Sequence, residues 1–152
     1  MKFSQWEKFD ERESLAKINF PGIYALAISR QNIAGTAFEY VKEIAYFGMT
    51  NSRTGLRGRL KAFNNTLRDK TGPGHGGAER FRYDYEDGEV LAKKLYVAVC
   101  PFECIVTSIA RKDLETMGNV VRAEYFAFAN YAELFDGLPK YNDKQNSPKR
   151  KG

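Results

Sequence analysis

GIYALAIS, at residues 22–29, is short, apolar and preceded by Pro21. Those features predict a β-strand rather than a helix. Side chains alternate along a strand, so Tyr24, Leu26 and Ile28 share one face. After a connection at 30–38 that carries Gly35, EYVKEIAYFGM (39–49) reads as a second strand, with Ile44, Tyr46 and Gly48 on a common face. Two adjacent strands with a short link favour antiparallel pairing. Tyr24 and Tyr46 can then project from the same face, an arrangement that one residue of register slip would undo.

Outward from this pair, TNSRTG (50–55) is a turn in which Thr54 or Ser52 can cap a following helix. LRGRLKAFNNTLRDK (56–70) spaces Leu56, Leu60, Phe63 and Leu67 as an amphipathic helix does. TGPGHGG (71–77) is a breaker-rich loop. A short polar stretch follows, in which Phe81, Tyr83 and Tyr85 alternate ahead of an acidic turn at 84–89. KKLYVAVCPF (93–102) reads as a third strand. Residues 107–117 read as helical, and 119–136 as a longer helix stopped by Gly137 and Pro139. The segment up to Ser14, with Trp6 and Phe9, reads as a short helix or an arm against the domain edge. The prediction is one small α/β or α+β domain with a three-stranded antiparallel sheet flanked by helices. It spans 1–142, with its core from about residue 20, and leaves a basic, flexible tail at 143–152.

The 152 residues make one domain's worth of chain, and 43% hydrophobic with 28% charged residues excludes a disordered one. No apolar run approaches the roughly 20 residues of a membrane helix. MKFSQWEKFDERES lacks the apolar core of a secretory leader, and two cysteines fit a reducing cytoplasm. A single histidine cannot build a His-rich metal cage. No GxxxxGK[ST], GxSxG, HExxH or EF-hand pattern occurs, and Cys100 and Cys104 lack the partners of a zinc tetrahedron. The net charge of +5 is concentrated at 53–70, where Arg53, Arg57, Arg59, Lys61, Arg68 and Lys70 face only Asp69. Such a field suits a nucleic-acid partner.

Three residues stand out chemically. On a helix, Glu124 has Val120, Val121, Ala127 and Phe128 as neighbours, all apolar. An ionised carboxylate there needs a divalent cation or an arginine beside it. Arg59 flanks the apolar stripe of its helix, where a guanidinium can grip phosphate, snorkel to water, or pair with Glu124. His75 lies among Gly72, Gly74, Gly76 and Gly77, whose backbone amides can cradle a phosphate; the stretch reads as a mobile or nucleic-acid-facing loop, in preference to a catalytic role for His75.

Together these elements resemble the GIY-YIG nuclease family. Gly22-Ile23-Tyr24 matches the first half of its namesake motif, and Tyr46-Phe47-Gly48 looks like the second, with Phe in place of Ile. LRGRLKAF (56–63) is similar to the family's LRKRL-type helix, with Arg59 at its catalytic arginine. Glu124 falls at the metal-binding glutamate, and Asn142, in LPKYN, at the closing asparagine. The likeness spans about residues 20–142. The chain departs from the pattern in three places. The interval between Tyr24 and Tyr46 is longer than is common. Phe63 stands where many members carry Tyr or His, and Met49 where a polar or basic residue is frequent.

The resemblance implies hydrolysis of DNA phosphodiester bonds with one divalent cation, Mg²⁺ or Mn²⁺, on Glu124. Arg59 would stabilise the phosphate. Tyr24 or Tyr46, the choice left open, would activate or orient water, and Asn142 would brace the site. Arg53, Arg57, Lys61, Arg68, Lys70 and His75 would contact nucleic acid. Sequence selectivity would come from the Tyr24–Tyr46 interval, the 71–85 segment or the tail. A homodimer would be the simplest way to cut both strands. Two alternatives remain: a non-catalytic nucleic-acid-binding module on the same fold, and an interaction domain in which Glu124 and Arg59 form a buried pair.

Overall fold

The computed structural model describes residues 1–151. Four strands, β1 (Glu7–Lys8), β2 (Gly22–Ile28), β3 (Ile44–Thr50) and β4 (Leu95–Pro101), form one antiparallel sheet in the order β1-β4-β2-β3. Helices α1 (Gly55–Leu67), α2 (Gly76–Asp84), α3 (Gly88–Ala92) and α4 (Arg111–Phe135) surround it, with single 3₁₀ segments at Phe9–Ser14 and Lys140–Asn142. The class is α+β.

Both faces of the sheet are covered. Tyr24, Leu26, Val97 and Val99 pack against α1, α2 and α3. Ile23, Ala25, Ala27, Phe47 and Ala98 pack against Val120, Ala123 and Ala127 of α4 and against Trp6. A strand covered on both sides has no wet face, which is why 22–28 and 95–101 are continuous apolar runs. Tyr24 lies opposite Gly48 and Leu26 opposite Tyr46, so the two tyrosines share a face as their spacing predicts. Leu56, Leu60, Phe63 and Leu67 are all fully buried, and the amphipathic reading of α1 holds.

Several expectations need correction. The sheet has four strands, not three, because Glu7 and Lys8 pair with Val97 and Tyr96 on the open edge of β4. Backbone pairing of two charged residues leaves no side-chain pattern to read. The second strand begins at Ile44, whose N–H donates to Val41 in a turn, rather than at Glu39. The 29–43 segment instead lies over the α4 side of the sheet, with Phe38 stacked on Phe3 at 4.0 Å and Thr36 accepting from the Trp6 N–H. Residues 76–84 form a helix, not an alternating stretch, with Ala78, Phe81 and Arg82 buried at helical spacing. α1 stops at Leu67, and Asp69 turns the chain with φ 56°. Thr54 occupies the α1 N-cap but makes no side-chain capping bond.

The two helices expected at 107–117 and 119–136 are one, running through Gly118, where a Cβ would meet only open space. It ends on Asp136 in the left-handed conformation rather than on Gly137. The basic tail is not free. Ser147 is buried and donates to Lys140, Arg80 donates to the Ser147 carbonyl, and Arg150 pairs with Asp69 and Glu79. Residues 143–150 therefore strap back across α2. No helix among the described residues is long and apolar enough to cross a membrane.

Candidate active site

The site forms where β2 and β3 pass beneath α1 and the first turn of α2. Tyr24 is 0% exposed. It can lie flat because its cross-strand partner is glycine: a Cβ on Gly48 would sit 2.3 Å from the Tyr24 hydroxyl. Tyr46, one pleat along the neighbouring strand, is only half-buried, and the two rings are 6.1 Å apart.

His75 is at the centre of this site, contrary to the expectation that it faces nucleic acid from a loop. It is 3% exposed and caps α2. Its Nδ1 accepts from the Gly77 N–H at 2.9 Å and the Ala78 N–H at 3.3 Å. Its Nε2 lies 2.7 Å from the Tyr24 hydroxyl. Phe63 meets the ring edge-on at 5.1 Å and Tyr46 at 5.7 Å. Gly77 makes the crowding tolerable, since a Cβ there would lie 2.8 Å from His75 Cε1 and 2.9 Å from the Tyr46 hydroxyl. Burial, with Arg59 and Lys149 adding positive charge, lowers the His75 pKa to about 3. The imidazole is neutral at every physiological pH.

Arg59 comes from α1 and is half-buried. Its Nε is buried without a hydrogen-bond partner. A buried donor with nothing to bind is costly, and an anionic oxygen would remove that cost. Glu124 comes from α4, on the other side of the sheet, yet its charge reaches Tyr24 and Tyr46 and disfavours ionisation of both. Burial raises the Glu124 pKa, opposed first by Lys144 and then by Arg59. Arg59 therefore acts on Glu124 through its field rather than by a direct ion pair.

Burial raises both tyrosine pKa values, Tyr24 well above the ordinary phenol value. Arg59 counters this in each. Asn142 braces the outer edge of β3. Its Oδ1 accepts from the Phe47 N–H at 2.8 Å, and its Nδ2 donates to the Phe47 carbonyl at 2.9 Å.

A cleft of about 610 Å³ runs from Arg59 along α1, lined by Thr50, Asn51, Ser52, Lys61 and Asn65 among others. Only Arg59 belongs to both cleft and site. Of the cations expected to meet nucleic acid, Arg53, Lys61 and Lys70 are exposed. Two are committed elsewhere. Arg57 binds Glu13 and Asn19. Arg68, with its side chain 12% exposed, is held by Asp10, Glu89 and Asn64.

Among the described residues no group of three His, Cys, Asp or Glu side chains could enclose a metal ion. A cation of the Mg²⁺ type keeps several waters and needs one or two carboxylates plus phosphate oxygens. A single half-buried Glu124 fits that mode of binding and does not fit an all-protein cage.

The sequence did not reveal the roles of His75, Lys144 or Lys149. The one usable signal was Gly77 two residues after the chain's only histidine, a gap through which another side chain can approach. No protein-family model matches the chain, nor does any curated protein or solved structure.

Proposed function

We propose that this chain is a divalent-metal-dependent endonuclease of the GIY-YIG type acting on DNA. The observation that carries the reading is convergence. Tyr24, Tyr46, Arg59 and Glu124 come from four elements and lie within one another's electrostatic influence, and Arg59 holds an unpaired buried N–H.

In this reading Arg59 binds a non-bridging phosphate oxygen and tightens as negative charge develops. Mg²⁺ or Mn²⁺ on Glu124, when bound, stabilises charge on the phosphate and the leaving oxygen. A tyrosine orients the attacking water and holds its proton. Asn142 keeps β3 in register so that Tyr46 and Gly48 stay aligned with Tyr24 and Leu26. DNA approaches along the cleft beside Lys61, and a second copy of the chain would serve the second strand.

The test is cleavage of supercoiled plasmid with Mg²⁺ or Mn²⁺. Wild type should nick it, and Glu124→Ala or Arg59→Ala should slow the reaction roughly 10²–10³-fold, the usual effect of losing one group that stabilises the transition state. Equal rates for wild type and Glu124→Ala would end the proposal. A second reading, a binding module without catalysis, draws on the raised tyrosine pKa values, which keep both phenols protonated without a cation. It expects salt-sensitive DNA binding and no metal-stimulated cleavage.

A further inference from the structure

We propose that His75 is a positioning residue that fixes the direction of hydrogen bonding through the two tyrosines and so selects Tyr46, not Tyr24, as the phenol that handles water. The proposal rests on the nuclease reading for its role in catalysis but stands on geometry present in the free protein. Backbone N–H groups can only donate. Because Gly77 and Ala78 both donate to Nδ1, that nitrogen carries no proton. A neutral imidazole then carries its proton on Nε2. Nε2 lies 2.7 Å from the Tyr24 hydroxyl oxygen and donates its proton, so the Tyr24 oxygen is the acceptor.

The Tyr24 proton must then point elsewhere. Arg59 can only donate. The neighbouring phenol is Tyr46, whose ring centroid lies 6.1 Å from that of Tyr24, and a proton turned toward it favours the Tyr46 phenolate. The donors run in one direction, from the α2 amides to His75 and from His75 to Tyr24, which leaves the Tyr24 proton to turn toward Tyr46. Tyr24 is fully buried and meets no solvent, whereas Tyr46 is half-open. The groups facing Tyr46 are Arg59 and Arg80, which favour its ionisation, and Glu124, which opposes it. Those facing His75 are Arg59 and Lys149. In the reaction Tyr46 would give its own proton to solvent and then take one from the attacking water. The water oxygen bonds to phosphorus as the bond to the leaving oxygen breaks, and the leaving oxygen keeps the bonding pair and takes a proton from solvent.

The chain has one histidine, so ¹⁵N NMR of the ligand-free protein reads His75 without ambiguity. The expected spectrum shows one tautomer with Nε2 protonated and Nδ1 bare, unchanged between pH 5 and pH 8. Tyr24→Phe should shift the Nε2–H resonance. A protonated Nδ1, or a titration within that range, would overturn the proposal whether or not the protein cuts DNA. The kinetic arm uses His75→Asn, whose shorter side chain can still cap α2 but cannot reach Tyr24. It should lower kcat tenfold or more and leave KM for DNA unchanged. An unchanged kcat in a folded His75→Asn variant would refute the role of His75 while leaving the nuclease reading intact. Absence of cleavage by wild type would remove that reading while leaving the tautomer result standing.

Discussion

His75 shows how much a single side chain can carry. As a loop residue it would titrate near pH 6.5. In the fold it caps a helix and cannot take a second proton without setting N–H against N–H. Its folded pKa, about 3, lies below the unfolded value. Between these values the unfolded chain binds a proton that the folded chain refuses. Stability is therefore complete above about pH 6.5 and falls as pH drops toward 3, by at most about 1.4 kcal/mol per pH unit. Asp69, Asp84 and Asp113, whose pKa values are lowered, add losses in the same direction only in more acid solution. Urea unfolding of wild type and His75→Asn at pH 7.0 and pH 5.5 isolates the histidine, because the raised Glu124 carboxyl, which acts in the opposite direction, is common to both. Wild type should lose about 1 kcal/mol between them, and His75→Asn should lose almost none. Identical wild-type stability at the two pH values would show that the ring is not held neutral.

At the scale of elements, the arrangement of α1 against α2 depends on Arg82. This buried guanidinium donates to the Leu67 carbonyl at 2.7 Å, closing the end of α1, and to the Tyr85 and Glu86 carbonyls beyond α2. It also pairs with Asp69, which in turn holds Arg150 of the C-terminal strap. One side chain thus joins two helix ends and a strap. Removing it takes that donor from the buried Leu67 carbonyl and from the partly buried Tyr85 and Glu86 carbonyls. Arg82→Ala should cost about 1–3 kcal/mol, the range for leaving a buried acceptor unsatisfied, because its acidic partner Asp69 is exposed and keeps Arg150. Chemical denaturation measures this, and a loss below about 1 kcal/mol would mean the network is dispensable. Arg82 lies on the buried stripe of α2 with Ala78 and Phe81, so its position followed from helical spacing once the helix was known. The sequence itself favours alternation, because Phe81, Tyr83 and Tyr85 satisfy a period of two, although Tyr83 is exposed in the fold.

For the whole molecule, net charge says little about where anions bind. Apart from Arg59, the cations at 53–70 are equivalent in the sequence. Folding ties Arg57 and Arg68 to acidic partners from distant segments and leaves Lys61 open beside the cleft. In DNA-binding titrations, Lys61→Ala should weaken affinity and reduce the salt slope by about 0.9, the value of one released counterion. Arg68→Ala should lower stability and leave the slope unchanged. An equal change in slope for both would show that the ion pairs of Arg68 open on binding.

What the chain fixed locally was legible: two strands bearing Tyr24 and Tyr46 on one face, the apolar stripe of α1, and a carboxylate stranded among apolar neighbours on α4. Each follows from side-chain period and from the cost of burying charge, both properties of short windows. Tertiary structure alone decided which groups meet. β1 was silent because backbone pairing carries no composition. The strap appeared as a loose basic tail because its partners, Asp69 and Glu79, are more than sixty residues away. His75 became a buried donor only because Gly48 and Gly77 leave room for rings arriving from other strands. Local sequence sets the period and charge of an element, whereas the fold's packing determines which charges are neutralised and which remain exposed.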